Sequence, residues 1–161
     1  NGWQSARAIS LQEANSAKAP ITSMQNEFSL LARSVESDAL ECAINLNRGF
    51  IAWSPLGRGA LTGKYRNGIP ADSRAATPHF APFIEPYLNE RSRRIVEAVS
   101  VAAQGLGYSP LEVALAWVRD FPGVTSAVVG ARTGAQMRGI LISEEIALPE
   151  VVRSALDEIS R

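Results

Sequence analysis

A chain of 161 residues suits one domain, residues 1–161, and is long enough to bury a core. Its 46% hydrophobic and 20% charged content excludes a disordered segment. Sixteen Lys and Arg balance sixteen Asp and Glu, so no net field recruits nucleic acid or an anionic membrane. The single cysteine, Cys42, excludes an intrachain disulfide and a multi-cysteine metal site. Among Leu40, Ala43 and Ile44 it reads as a small buried hydrophobe. No apolar run approaches the roughly 20 residues of a membrane span. No signal peptide opens the sequence, so the expected location is cytoplasmic, with a preceding segment left open because the first residue is Asn1.

In chain order, residues 4–17 carry helical spacing through Ala8, Leu11 and Ala14. A short strand is expected over 21–24, running into Gln25-Asn26-Glu27-Phe28-Ser29-Leu30-Leu31. Ser34 suits the cap of the next helix, whose apolar face carries Val35, Ala39, Leu40, Ala43 and Ile44 and which Arg48-Gly49 closes. Residues 50–54 read as a buried strand between Gly49 and Pro55. The pattern then breaks from Gly57 to about Tyr87, where Pro70, Pro78, Pro82 and Pro86 argue against helix or central strand. An irregular stretch of that length suits a functional loop or lid. Helix resumes near Asn89, with Ile95, Val96, Val99 and Ala102, and ends at Gly105-Leu106-Gly107. Ser109-Pro110-Leu111-Glu112 combines an N-cap, a proline at the first helical position and a reciprocating Glu. The helix it opens runs through Val113, Leu115, Ala116 and Trp117 and stops before Phe121-Pro122-Gly123. A third strand is expected over 126–129; Gly130-Ala131-Arg132 then turns into a helix capped by Thr133-x-x-Gln136. Pro149 opens a terminal helix with Val151, Val152, Leu156 and Ile159. This alternation predicts an α/β fold with a parallel sheet and helical crossovers. Three strands are too few for a closed barrel, so part of the sheet is expected to lie outside the chain.

The run Ala52-Trp53-Ser54-Pro55-Leu56-Gly57-Arg58-Gly59-Ala60-Leu61-Thr62-Gly63-Lys64-Tyr65 is the most informative stretch. An apolar strand opens into glycines, hydroxyls, an Arg and a Lys, which suits close approach to a phosphate-bearing ligand. The loop follows a strand's C-terminal end, where parallel α/β folds place ligands. Composition alone also allows a solvated surface loop. Gly57-x-Gly59 is not a Rossmann fingerprint, because position 62 is Thr and no helix follows directly.

These residues resemble the aldo-keto reductase family. The likeness rests on Gln25-Asn26-Glu27-Phe28-Ser29-Leu30-Leu31-Ala32-Arg33, on the 52–65 run, on Ala114-Leu115-Ala116-Trp117-Val118 and on Val129-Gly130-Ala131-Arg132-Thr133-x-x-Gln136, in the family's order. It implies the C-terminal part of a (β/α)8 TIM-type barrel, incomplete in this chain, on the side that holds a nicotinamide cofactor. By that resemblance Gln25 would bind the carboxamide and Trp53 would stack under the nicotinamide. Ser54, Leu56, Gly59, Thr62 and Lys64 would line the pyrophosphate and ribose, with Arg74 as a clamp. Gly130, Arg132 and Gln136 would meet the adenosine end, and the Arg132 cation favours NADP over NAD. Read singly, Trp53 suits a core, Gln136 a capping residue, and Lys64 and Arg74 solvated loop charges.

Two departures stand out. Where the family usually places Glu-Asn to grip the adenine, this chain has Gly139 and Ile140. The family's catalytic tyrosine, lysine, aspartate and histidine belong to the other half of its fold, so no catalytic residue is assigned. His79, between Pro78 and Phe80, reads as a loop residue. Tyr65, Tyr87 and Tyr108 lack a lysine four residues on, and Lys64 is expected to diverge from Tyr65. The implied function is the cofactor-site portion of an NADP-dependent oxidoreductase that reduces aldehydes or ketones, with residues 78–87 in the substrate wall. The alternative is a nucleotide-binding or interaction module without turnover. Bare strand edges lead to an expectation of self-association, or of pairing with the remaining barrel half.

Overall fold

The computed structural model describes residues 1–15 and 19–161, in which three parallel strands carry helices on one face. β1 (Ser23–Glu27), β2 (Gly49–Trp53) and β3 (Ser126–Val128) lie side by side in that order. Register places Glu27 opposite Trp53, and Trp53 opposite Val128, so all three C-terminal ends reach one rim. Helices α1 (Gly2–Glu13) and α2 (Glu41–Asn45) flank β1, while α4 (Glu90–Leu106) and α5 (Pro110–Arg119) lie between β2 and β3 in sequence. The short α3 (Ala81–Ile84) sits in the long connection after β2. α6 (Gly134–Ile142) and α7 (Glu150–Ser160) complete the chain.

Side chains alternate across a strand, and here the alternation divides the sheet sharply. Met24, Phe50 and Ala52 point into the core with Val99, Val113 and Trp117. Phe28, just past β1, stacks on Trp117 with centroids 5.7 Å apart and meets Phe121 edge-on at 4.8 Å. On the other face none of Ser23, Gln25, Glu27, Ile51, Trp53, Ser126 or Val128 is buried. Parallel sheets are ordinarily covered on both faces, so this one is covered on one side only.

Cap chemistry explains the sharpest helix boundaries. The Asn89 side chain accepts from the Ser92 amide at 2.9 Å, and Gly107 at φ 76° closes α4. At α5, Ser109 Oγ accepts from the Glu112 amide while Glu112 Oε2 accepts from the Ser109 amide at 2.7 Å, the expected capping box.

Several local expectations change. β1 begins two residues later than 21, and α1 begins at Gly2 under an Asn1 cap; the expected helix end at Ala17 lies outside the described residues. Ser34 caps nothing, because the chain enters α2 through a wide turn in which the Leu40 amide bonds Val35 O five residues back. Asn47, at φ 50°, reverses the chain after α2 in place of Arg48-Gly49. Pro82 and Pro86 do sit in short helical turns, at first-turn positions where the missing amide costs nothing. Val151 and Ile159 face solvent, so the buried anchor of α7 is Leu156.

Besides Leu156, two arginines tie α7 down: Arg91 Nη2 donates to Ser160 O at 2.5 Å, and Arg33 makes the larger set of contacts. Arg33 bonds Glu36 through Nη2 at 2.8 Å, the Asp157 carboxylate at 2.7 Å and Ser160 Oγ at 2.7 Å. Its guanidinium lies 5.0 Å from the Trp117 ring centroid. Arg33→Ala leaves Glu36 without its cation and Asp157 with only the exposed Arg161, and it uncovers the indole; it should cost about 3 kcal/mol in a denaturant titration.

β2 ends where its backbone turns left-handed: Ser54 at φ 55°, Gly57 at 53°, Arg58 at 56° and Gly59 at 95°. A Cβ on Gly57 would lie 2.7 Å from Leu31 Cδ1. Gly57→Ala therefore combines a disfavoured φ with a clash, and should lower unfolding free energy by about 3 kcal/mol. Gly68→Ala, with open space around it despite φ 115°, should cost less than half as much in the same assay.

Candidate functional site

The left-handed run bends the chain over the strand ends, and a cleft of about 350 Å³ opens beside it. Its floor is Trp53 at the end of β2 with Ser54, Leu56, Gly59 and Thr62 from the bent loop. One wall comes from the end of β3 and the start of α6, namely Val128, Gly130, Arg132, Gln136 and Ile140. Lys64, Arg74 and Phe83 stand on the other side, and Leu111 from α5 closes an apolar corner with Ile140.

Every cofactor-site residue expected from sequence lines this cleft except Gln25. Gln25 is exposed on the open face of β1, beside a shallower hollow of about 310 Å³ between α1 and β1. It sits two residues below the strand's end, about 7 Å short of the rim at the usual rise of an extended strand.

Charge in the cleft is one-sided. No Asp or Glu lines it, and Lys64, Arg74 and Arg132 form no ion pair among the described residues. The Lys64 ammonium would stand 3.1 Å from a Cβ on Gly59, so the absence of a side chain there leaves room for it. It also lies 5.0 Å from the Tyr65 ring centroid, so Lys64 and Tyr65 come together instead of diverging. The Thr62 hydroxyl donates to Gly59 O at 2.8 Å, and Ser54 Oγ accepts from the Arg58 amide at 3.0 Å, which stiffens the loop. Gln136 has a structural task as well: its Oε1 accepts from the Arg132 amide at 2.8 Å, while Thr133 Oγ1 accepts from the Gln136 amide. Three unpaired cations, small backbone and an indole floor are a donor set that fits a phosphate-bearing ligand with a flat ring.

Sequence reasoning read Arg58 as a cation of the phosphate-facing loop and put Phe83 and Tyr87 in the 78–87 substrate wall, with no individual role for Glu27. In the structure the four form a hydrogen-bonded cluster at the cleft's edge. Both Glu27 oxygens accept from Arg58, and the Tyr87 hydroxyl donates to Glu27 Oε1 at 2.9 Å. Burial first, then the Glu27 carboxylate, pushes the Tyr87 phenol up to about 12. The hydrogen bonds to Glu27 hold the Arg58 guanidinium above its usual value despite its partial burial. The available signal was the position of Glu27, which ends β1 beside the strand that ends in Trp53. His79, Tyr65 and Tyr108 lie outside the cleft lining. Among the described residues no group of His, Cys, Asp and Glu could hold a metal ion, and no helix is long and apolar enough to cross a membrane.

The model of the aldo/keto reductase family matches residues 2–161. An uncharacterized oxidoreductase, YrpG, of Bacillus subtilis is 32% identical over 158 residues, which are 98% of this chain and 46% of the relative. Protein tas of Escherichia coli is 36% identical over 140 residues, 86% of this chain and 40% of the relative. L-glyceraldehyde 3-phosphate reductase of Escherichia coli is 35% identical over 123 residues, 74% of this chain and 36% of the relative. The chain thus spans less than half the length of the curated relatives it matches. With a family match over residues 2–161, this chain belongs to the aldo/keto reductase family.

Proposed function

We propose that the chain forms the NADP site of an oxidoreductase that reduces aldehydes or ketones. One observation carries the reading: among the described residues, three cations without an ion pair and no carboxylate line a cleft floored by an indole at the C-terminal ends of parallel strands. The bound dinucleotide would supply the hydride. In this reading Trp53 stacks on the nicotinamide, and Gln25 approaches its carboxamide from lower on β1. Ser54, Leu56, Gly59 and Thr62 give the pyrophosphate a small, stiff floor, while Lys64 and Arg74 neutralise it from the same side of the cleft. Gly130, Arg132 and Gln136 receive the adenosine end, with Arg132 on its 2′-phosphate. Ile140 and Leu111 meet the base by packing, since neither has a hydrogen bond to offer.

The cleft lining includes no Tyr, His, Asp or Glu, so the proton for the carbonyl oxygen comes from outside it. That observation also supports a second reading, a nucleotide-binding module without turnover. In the barrel reading, further strands cover the open sheet face and the edges of β1 and β3, and the remaining catalytic groups arrive with them. In the module reading, self-association covers them.

NADPH should quench tryptophan fluorescence saturably, with affinity falling as salt rises. Lys64→Ala or Arg74→Ala should each weaken binding about tenfold, the cost of one charge-assisted contact. Arg132→Ala should weaken NADPH about tenfold and leave NADH within twofold, which reads out the 2′-phosphate directly. Loss of both nucleotides alike would remove NADP preference from Arg132.

Turnover separates the two readings. The full-length protein that contains this chain should oxidise NADPH with aldehydes, and Trp53→Ala should slow it. Tight NADPH binding with no oxidation against a broad aldehyde and ketone panel would leave the binding module as the function.

A further inference from the structure

Four cations border the cleft, but one of them is already spent. Arg58 gives Nε to Glu27 Oε1 at 3.0 Å and Nη2 to Glu27 Oε2 at 2.7 Å, a two-pronged grip on a carboxylate at the end of β1. Its remaining prong, Nη1, donates to the carbonyl of Phe83 at 2.6 Å. The guanidinium lies 3.9 Å from the Phe83 ring centroid, 5.0 Å from that of Tyr87 and 5.9 Å from that of Trp53. The Tyr87 hydroxyl closes the cluster onto the same carboxylate. One side chain therefore joins the end of β1, the left-handed floor loop, the cleft-side residues of the 81–87 turns, and the indole that ends β2.

This geometry is wrong for ligand binding and right for a clasp. The charge of Arg58 is matched by Glu27, and both side chains are less than one-fifth exposed. The backbone of Arg58 holds φ 56°, a left-handed conformation that strains a non-glycine residue, so the position tolerates strain to keep this side chain. A glycine would relieve that strain and release the clasp. Ile84 is fully buried and anchors the 81–87 turns from the core side, so the clasp governs only their cleft-facing side.

We propose that Arg58 is a positioning residue which, through Glu27 and the 81–87 turns, holds Phe83 and Trp53 in place over the cleft and thereby sets how long a bound dinucleotide stays. The proposal rests on the nucleotide reading above, but one arm of its test does not need a ligand. In the ligand-free full-length protein, Arg58→Gly and Glu27→Gln should speed amide hydrogen exchange in a peptide covering 80–88 at least about fivefold. Thermal midpoints should stay close to that of the parent, Arg58→Gly most closely because it removes backbone strain. With NADPH, both variants should raise the dissociation rate about tenfold, the value of a lost charge-assisted pair, and leave the association rate within about threefold. Arg58→Lys keeps the charge but cannot span both oxygens, so it should not restore slow release. If folded variants exchange and release NADPH at parental rates, the clasp is overturned. If exchange quickens while release is unchanged, the cluster is structural only and the positioning role is overturned. If the parent binds neither NADPH nor NADH, the nucleotide reading and the role in ligand retention both fail, while exchange alone still decides whether the contact restrains the 81–87 turns.

Discussion

The left-handed turn at the end of β2 is the constraint on which the site depends. An extended strand that simply continued past Trp53 would carry Thr62 and Lys64 away from the sheet. Instead, Ser54, Gly57, Arg58 and Gly59 all adopt positive φ within six residues and fold the chain back over the strand ends. Two are glycines, for which the conformation is cheap. Gly57 must also lack a side chain because Leu31 occupies that space. The other two are steadied by their own polar groups: Ser54 Oγ takes the Arg58 amide, and the Arg58 guanidinium takes Glu27. Strain at the strand end is thus offset by contacts made at the same place.

That bend meets a sheet with one buried and one open face, and the combination determines where chemistry can occur. Met24, Phe50 and Ala52 commit one face to packing with α4 and α5. Trp53 and Val128 then point to the uncovered side at the rim, where an apolar floor meets the cationic loop. A flat ring gains from burial against the indole, and an anionic linker gains from three cations that no carboxylate has claimed. Neither half of that site exists on a single element. It arises because parallel strands in register end together.

Much of this was legible in sequence for a physical reason: the informative residues act locally. A capping box, a proline at a helix start and a glycine after α4 are read within four residues, and Ser109, Asn89 and Gly107 behave as their chemistry dictates. The strand-end loop over 52–65 pointed to a ligand-facing surface by its own chemistry, whereas Arg74, Gly130, Arg132 and Gln136 were named only through the family resemblance. What sequence could not show were contacts made across the fold. Glu27 and Arg58 are 31 positions apart and Glu27 and Tyr87 are 60, and nothing in either neighbourhood announces the partner. Ser34 illustrates the opposite failure, a sound capping residue overruled when Arg33, one position earlier, is drawn to Glu36, Asp157 and the Trp117 face. Gln25 marks a third limit, since the face of a strand can be read from alternation while the height along it depends on where pairing starts.

Neutralisation divides the cations of the cleft into two jobs. A charge that must grip a ligand has to be unclaimed before the ligand arrives, and Lys64, Arg74 and Arg132 meet that condition. A charge that must hold the protein in shape has to be claimed already, or an arriving phosphate would compete for it. Arg58 meets the second condition with both oxygens of Glu27 and a backbone carbonyl. The Tyr87 phenol, held neutral up to about 12, donates its proton to the same carboxylate and so keeps Glu27 fully satisfied without adding charge. In the proposed dinucleotide reading, a phosphate drawn to the free cations would find the fourth one saturated. Such a ligand would be held by electrostatics without pulling apart the aromatic wall beside it.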